Sequence, residues 1–138
     1  MRVVFDTNIW VSFLIGKRLS FLKSCFERLD IEVYYCFELE QEFLDVANRV
    51  KIKKYVDEKK VREAHRIMVN SCRKIQNIES VDSSIRDPKD LYLLSLAETV
   101  KADVIVTGDA DLLVLKQHKQ TKMMTFAEFK AFCSSTFL

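Results

Sequence analysis

Val104-Ile105-Val106-Thr107-Gly108-Asp109 is three β-branched residues, then a small polar turn, then an acid. A short apolar run bounded by a turn reads as a strand buried on both faces. The same pattern opens the chain, where Val3-Val4-Phe5 runs into Asp6-Thr7-Asn8 and residues 2–5 form the expected strand. Between the two lies Asp87-Pro88-Lys89-Asp90. An acid at the N-cap followed by proline at the first helical position predicts a helix start there. Carboxylates placed where buried strands and helices begin or end are costly unless positive charge sits among them. A divalent cation is the simplest such charge.

The rest of the chain fills in around these runs. Thr7 or Asn8 is placed to cap a helix reaching about Ile15, Leu19 to Arg28 reads as a second helix, and Ile31 to Tyr35 as a strand. Glu38 to about Val50 sets Leu39, Phe43, Val46 and Val50 at i, i+4, i+7 and i+11, the pattern of an amphipathic helix. Asp57 to about Lys74 repeats it with Val61, Ala64, Met68 and Cys72. A polar stretch over 77–86 leads into the helix at Pro88. Leu112 to Leu115 reads as a helical or irregular turn, and Lys122 to Met124 as a last strand. Thr125-Phe126-Ala127-Glu128 is a capping box opening a final helix that carries Phe126, Phe129 and Phe132. Strands alternating with helices predict the α/β class, a three-layer α/β/α sandwich around a central, mainly parallel sheet of four or five strands. No repeat, low-complexity tract or linker interrupts the pattern, so 1–138 is read as a single domain.

Composition bounds the function. The 138 residues suffice for one substantial core, and the net charge of +2 announces no nucleic acid by itself. No stretch approaches the roughly 18 apolar residues of a membrane span, and the start carries no basic-then-apolar signal, so a cytoplasmic protein is expected. The four cysteines are scattered without a C-x-x-C pair and are expected to be reduced, partly buried thiols. Local charge says more: Arg49, Lys51, Lys53, Lys54, Lys59, Lys60 and Arg62 crowd around Tyr55, and Lys116, Lys119 and Lys122 follow the last acidic turn.

In an open parallel sheet, ligands bind beyond the carboxyl ends of the strands. Asp6 and Asp109 follow two such strands and belong on the same rim. Asp90 sits in the first turn of its helix, where capping alone would account for an acid, yet it heads a face with Leu94 and Ala97 at i+4 and i+7. Periodicity does not separate Glu42 from Glu40, since Glu38 and Asp45 lie nearby and a solvated acidic face explains the set.

These segments, in this order and spacing, resemble the PIN domain, the nuclease fold of VapC-like toxins, and more closely the PIN-domain toxin components of toxin–antitoxin systems. The resemblance rests on Val3 to Asn8, on Glu38-Leu39-Glu40-Gln41-Glu42-Phe43-Leu44, on Arg86 to Asp90, and on Val104 to Leu113. It implies an acidic cluster that binds Mg²⁺ or Mn²⁺ and cleaves single-stranded RNA, leaving a 5′-phosphate and a 3′-hydroxyl. The catalytic acids map to Asp6, Glu42, Asp90 and Asp109, with Asp6, Asp90 and Asp109 as metal ligands. Asn8, Thr7, Thr107 and Asp111 match supporting polar positions. The resemblance selects Glu42 over Glu40. It also implies an antitoxin partner and a dimer of the nuclease. Trp10, Phe13 and Leu14 would serve either as an antitoxin surface or as core.

Two departures stand out. Tyr35-Cys36-Phe37 occupies a segment where the family usually offers Ser or Thr, and Leu91 and Tyr92 follow Asp90 where a small polar residue is common. For holding RNA, Lys51, Lys53 and Lys54 would neutralise phosphates and Tyr55 would stack on a base. Asn8 stands where a haloacid-dehalogenase phosphatase needs its second acid, and a receiver domain's paired acids and late Lys-Pro are missing. A PIN fold that is catalytically idle and binds protein remains the alternative.

Overall fold

Val3, Val4 and Phe5 are wholly inaccessible to solvent, as are Ile105 and Val106, and the two runs lie side by side as parallel strands. The computed structural model describes residues 1–15, 18–28, 30–49, 54, 56–78 and 88–135, the side chains of 88, 89 and 135 apart. In chain order its elements are β1 (Arg2–Phe5), α1 (Thr7–Ser12), α2 (Arg18–Phe26), β2 (Glu32–Cys36), α3 (Phe37–Ala47), α4 (Glu58–Ser71), β3 (Arg73–Ile75), α5 (Pro88–Val100), β4 (Val104–Val106), α6 (Ala110–Leu113), β5 (Gln117–His118), β6 (Thr121–Met124) and α7 (Phe126–Ser135).

The strands form one sheet in the order β3-β2-β1-β4-β6-β5, parallel throughout except for the β5–β6 pair. The expected α/β class with a central, mainly parallel sheet holds, with six strands where four or five are predicted. The chain order reverses at β1, with β2 and β3 to one side and β4 and β6 to the other. A reversal of this kind opens a crevice at the carboxyl ends of the two central strands. Phe5 pairs with Val106, and the Asp6 amide donates to the Val106 carbonyl at 2.9 Å, so the residues leaving β1 and β4 emerge together.

Aromatic packing fixes that rim. The Phe5 ring meets Trp10, Phe13 and Phe129 edge-to-face, with centroids 5.9, 5.4 and 5.7 Å away, and Trp10 reaches Phe43 of α3. Full burial of such a side chain contributes about 1.5–3 kcal/mol, and Phe5 is the residue before Asp6. Trp10, Phe13 and Leu14 are therefore core, and the surface reading of these three does not hold. α5 packs along β1, β2 and β4, and bears the buried Leu93, Leu94, Leu96 and Ala97.

The structure corrects several expected boundaries. The helix predicted to reach about Lys74 stops at Ser71, because residues 73–75 pair with the open edge of β2. Helical periodicity does not register such an edge. Among the described residues, α1 ends at Ser12 and not near Ile15, and its N-cap is Asp6, which makes no side-chain capping bond. The buried stripe of α3 is Leu39, Phe43 and Ala47, leaving Val46 half-buried. The capping box forms as expected: the Thr125 amide donates to Glu128 Oε1 and the Glu128 amide to Thr125 Oγ1, both at 3.1 Å. Among the described residues, no helix is long and apolar enough to cross a membrane.

Candidate metal centre

Asp6, the residue after β1, is 7 % exposed, and Thr107, the residue after β4, is fully buried. Thr107 Oγ1 donates to Asp6 Oδ2 at 2.7 Å and accepts the Asp109 amide at 3.0 Å. One hydroxyl thus ties the two strand-end acids together. Asp109 caps α6, its Oδ1 accepting the Asp111 amide at 2.8 Å, which leaves its other oxygen unused by that cap.

Asp90 enters from the first turn of α5 and is 5 % exposed, above the buried Leu94 and Ala97 of its own face. Asp6, Asn8, Glu42, Asp90 and Asp109 line one cavity of about 200 Å³, together with Val46 and Arg49. Within the acidic group, one carboxylate oxygen each from Asp90, Asp109 and Asp111 lies within 4.8 Å of the others. Asp111, expected only as a supporting acid, thus stands with Asp90 and Asp109 in that trio. Asp6 lines the same cavity but has one oxygen committed to Thr107. Asn8 is exposed at the rim.

Glu42 and Glu40 part company on α3. Glu40 accepts His65 Nε2 at 2.8 Å and Lys74 Nζ at 3.3 Å, binding α3 to α4 and β3. Glu42 faces the cavity, and its Oε2 accepts the Tyr92 hydroxyl at 2.8 Å. That hydroxyl is also 3.1 Å from Thr7 Oγ1.

Electrostatics follow from this crowding. Burial raises the Asp6 carboxyl above its ordinary value, the Thr107 hydroxyl and Thr7 amide oppose the rise, and Glu42 and Asp109 add to it. The donor set is carboxylate oxygen, while His65 and His118 lie beside Glu40 and Glu98 elsewhere. Oxygen donors of this kind suit a hard dication such as Mg²⁺ or Mn²⁺ better than a soft metal. The residues present fit such an ion.

The PIN domain family model matches residues 2–111. The chain belongs to the PIN domain family. No curated protein sequence matches the chain significantly. Solved structures share the PIN fold at low identity. VapBC2 from Rickettsia felis, bound to a DNA fragment from its promoter, is 14 % identical with a TM-score of 0.58, over 91 % of this chain and 99 % of that one. VapC20 of Mycobacterium tuberculosis, a sarcin-ricin loop cleaving toxin, is 11 % identical with a TM-score of 0.58, over 85 % and 97 %. VapBC-1 from nontypeable Haemophilus influenzae is 12 % identical with a TM-score of 0.56, over 92 % and 99 %.

Among the RNA-binding expectations, Lys54 is exposed, whereas Lys51, Lys53 and Tyr55 lie outside the described residues, as does the Asp87 cap. Lys119 and Lys122 sit toward the amino ends of the strands, away from the carboxyl rim: Lys122 pairs with Val104 at the start of β4, and Lys119 with Glu98. Sequence reasoning noted Arg49 only in a basic run and Tyr92 only as a departure, and assigned neither to the site. Arg49 was within reach of periodicity, since Glu42, Val46 and Arg49 keep the spacing i, i+4 and i+7, although α3 itself ends at Ala47. Tyr92 gave no spacing signal, because its partners lie on two other helices.

Proposed function

We propose that this PIN domain, read as spanning 1–138, is a metal-dependent endoribonuclease that hydrolyses single-stranded RNA in the cytoplasm, as the toxin of a toxin–antitoxin pair. One observation carries the reading: acids distant in sequence, Asp6, Glu42, Asp90 and Asp109, line a single cavity at the carboxyl rim of the sheet. VapC20, which shares the fold, is described as cleaving the sarcin-ricin loop, and two of the similar structures are VapBC assemblies. These support an RNA substrate and an antitoxin partner, with a dimer of the nuclease as a further expectation.

Asp6, Asp90 and Asp109 would hold Mg²⁺ or Mn²⁺, with Asp111 completing the group around Asp90 and Asp109. Such an ion, when bound, would polarise a phosphoryl group and lower the pKa of a bound water. The protein's own part is placement. Thr107 locks Asp6 and Asp109 in register, Asn8 lines the rim, and Glu42 presents a carboxylate toward the attacking water. Arg49 and Lys54 supply positive charge beside the cavity and beyond α3, where an RNA backbone would run.

The test is cleavage of single-stranded RNA by wild type, Asp6→Asn and Asp90→Asn, each with Mn²⁺ and with chelator. The reading requires cleavage by wild type with metal and its loss in both variants. Equal cleavage by all three proteins would mean a contaminating nuclease and would sink the assignment. A Mn²⁺-dependent rise in melting temperature without any cleavage would leave an idle, metal-binding module.

A further inference from the structure

We propose that Tyr92 is a positioning residue for Glu42: its phenol, held by Thr7, fixes one carboxylate oxygen and turns the other into the acidic cavity. The inference rests on the metal-dependent reading above and adds a residue to it.

The geometry is specific. The Tyr92 hydroxyl lies 2.8 Å from Glu42 Oε2 and 3.1 Å from Thr7 Oγ1, so one oxygen links α5, α3 and α1. A phenol has a single proton to give. The carboxylate accepts only, so the proton goes to Glu42 and the Thr7 hydroxyl must donate to the Tyr92 oxygen. The chain of donation runs Thr7 to Tyr92 to Glu42, starting at the residue next to Asp6. A phenol keeps its proton at neutral pH, so it stays a donor.

A neutral donor suits this place. Lys or Arg against Glu42 would orient it but would also cancel negative charge that a dication needs. A phenol orients the carboxylate and leaves its charge in the cavity. No serine or threonine leads into α3, whose N-cap is Cys36 without a side-chain capping bond. A small polar side chain at position 92 lacks the reach of a ring from α5 to α3.

The experiment measures Mn²⁺ affinity, from the free-ion electron paramagnetic resonance signal, for wild type, Tyr92→Phe, Glu42→Gln and the double variant, beside metal-free melting temperature and RNA kinetics. Groups that orient metal-site acids typically change affinity or activity by 10–100-fold. Tyr92→Phe is expected to weaken Mn²⁺ binding, or lower kcat at unchanged KM, by roughly tenfold, with a fall in metal-free melting no larger than the loss of one hydrogen bond to a carboxylate gives. In the Glu42→Gln background the same substitution is expected to change neither quantity. Wild-type affinity and kcat in Tyr92→Phe would overturn the proposal alone, as would an equal loss in the Glu42→Gln background. Failure of wild type to bind Mn²⁺ would overturn it together with the metal-site reading. If Tyr92→Phe does not fold, Thr7→Val takes its place, with a smaller loss in the same direction expected and wild-type behaviour refuting the proposal.

Discussion

Replacing Thr107 by valine preserves the shape of a fully buried side chain and removes one oxygen. That oxygen donates to Asp6 at 2.7 Å and accepts the Asp109 amide at 3.0 Å. A hydrogen bond to a charged group is worth about 1.5–3 kcal/mol, and an ordinary one about 0.5–1.5 kcal/mol. Asp109 is only half-buried, so water can satisfy its amide and the smaller figure applies there. A cost of about 2–4 kcal/mol follows for the metal-free protein at neutral pH, or roughly 10 °C in melting temperature. The pH dependence has a definite sign. The folded-state value of Asp6 is raised from 3.8, so in the metal-free protein the stability that this one carboxyl contributes is fully present below the unfolded value and is lost as pH rises through the folded one. Thr107 opposes that rise. Its removal extends the loss to higher pH and makes the penalty larger at pH 7 than at pH 4. Urea denaturation in the presence of chelator, for wild type, Thr107→Val and Thr107→Ser, measures it. Serine should recover most of the loss. A Thr107→Val protein within about 0.5 kcal/mol of wild type at pH 7, the ordinary scatter of a neutral substitution, would refute this account of the strand ends.

Two further predictions concern the scaffold. Burial alone would raise the Glu40 carboxyl, but hydrogen bonds from His65 and Lys74 outweigh it and hold it below its ordinary 4.5. A depressed carboxyl stabilises the fold above 4.5, and that stability is lost as pH falls through the folded value. Wild type should therefore lose more stability than Glu40→Gln between pH 6 and pH 3, by equilibrium denaturation; parallel profiles would contradict the network. At α7, Thr125→Ala removes half of the capping box and should cost about 1 kcal/mol, read from urea midpoints, with Thr125→Ser close to wild type.

Much of this fold was readable because the decisive elements announce themselves locally. Three β-branched residues before a turn, or a T-x-x-E before an apolar run, carry their structure in a handful of positions. What escaped was decided at a distance. Residues 73–75 form a strand because β2 offers an open edge, and nothing in Arg73-Lys74-Ile75 says so. The site divides in the same way. Asp6 and Asp109 follow from strand ends alone, whereas the apolar face that Asp90 heads left a helix cap and a cleft residue equally open. Glu42 and Glu40 were equivalent by period, and what separates them in space is their partners, Tyr92 for one and His65 with Lys74 for the other. Arg49 continues the helical spacing of Glu42 past the end of α3, but an acid and a base seven residues apart look like any solvated stripe. Asp111 drew little weight from spacing, and its grouping with Asp90 and Asp109 depends on the turn that Asp109 caps.

If folding gathers these acids into one pocket for a dication, manganese must be seen in that pocket. A crystal soaked in Mn²⁺, with anomalous scattering recorded above the manganese edge, addresses it most directly. A peak is expected at coordination distance from carboxylate oxygens of Asp109 and Asp90, with Asp6 or Asp111 alongside. An empty pocket, or manganese bound only at other acids of the surface, would contradict it.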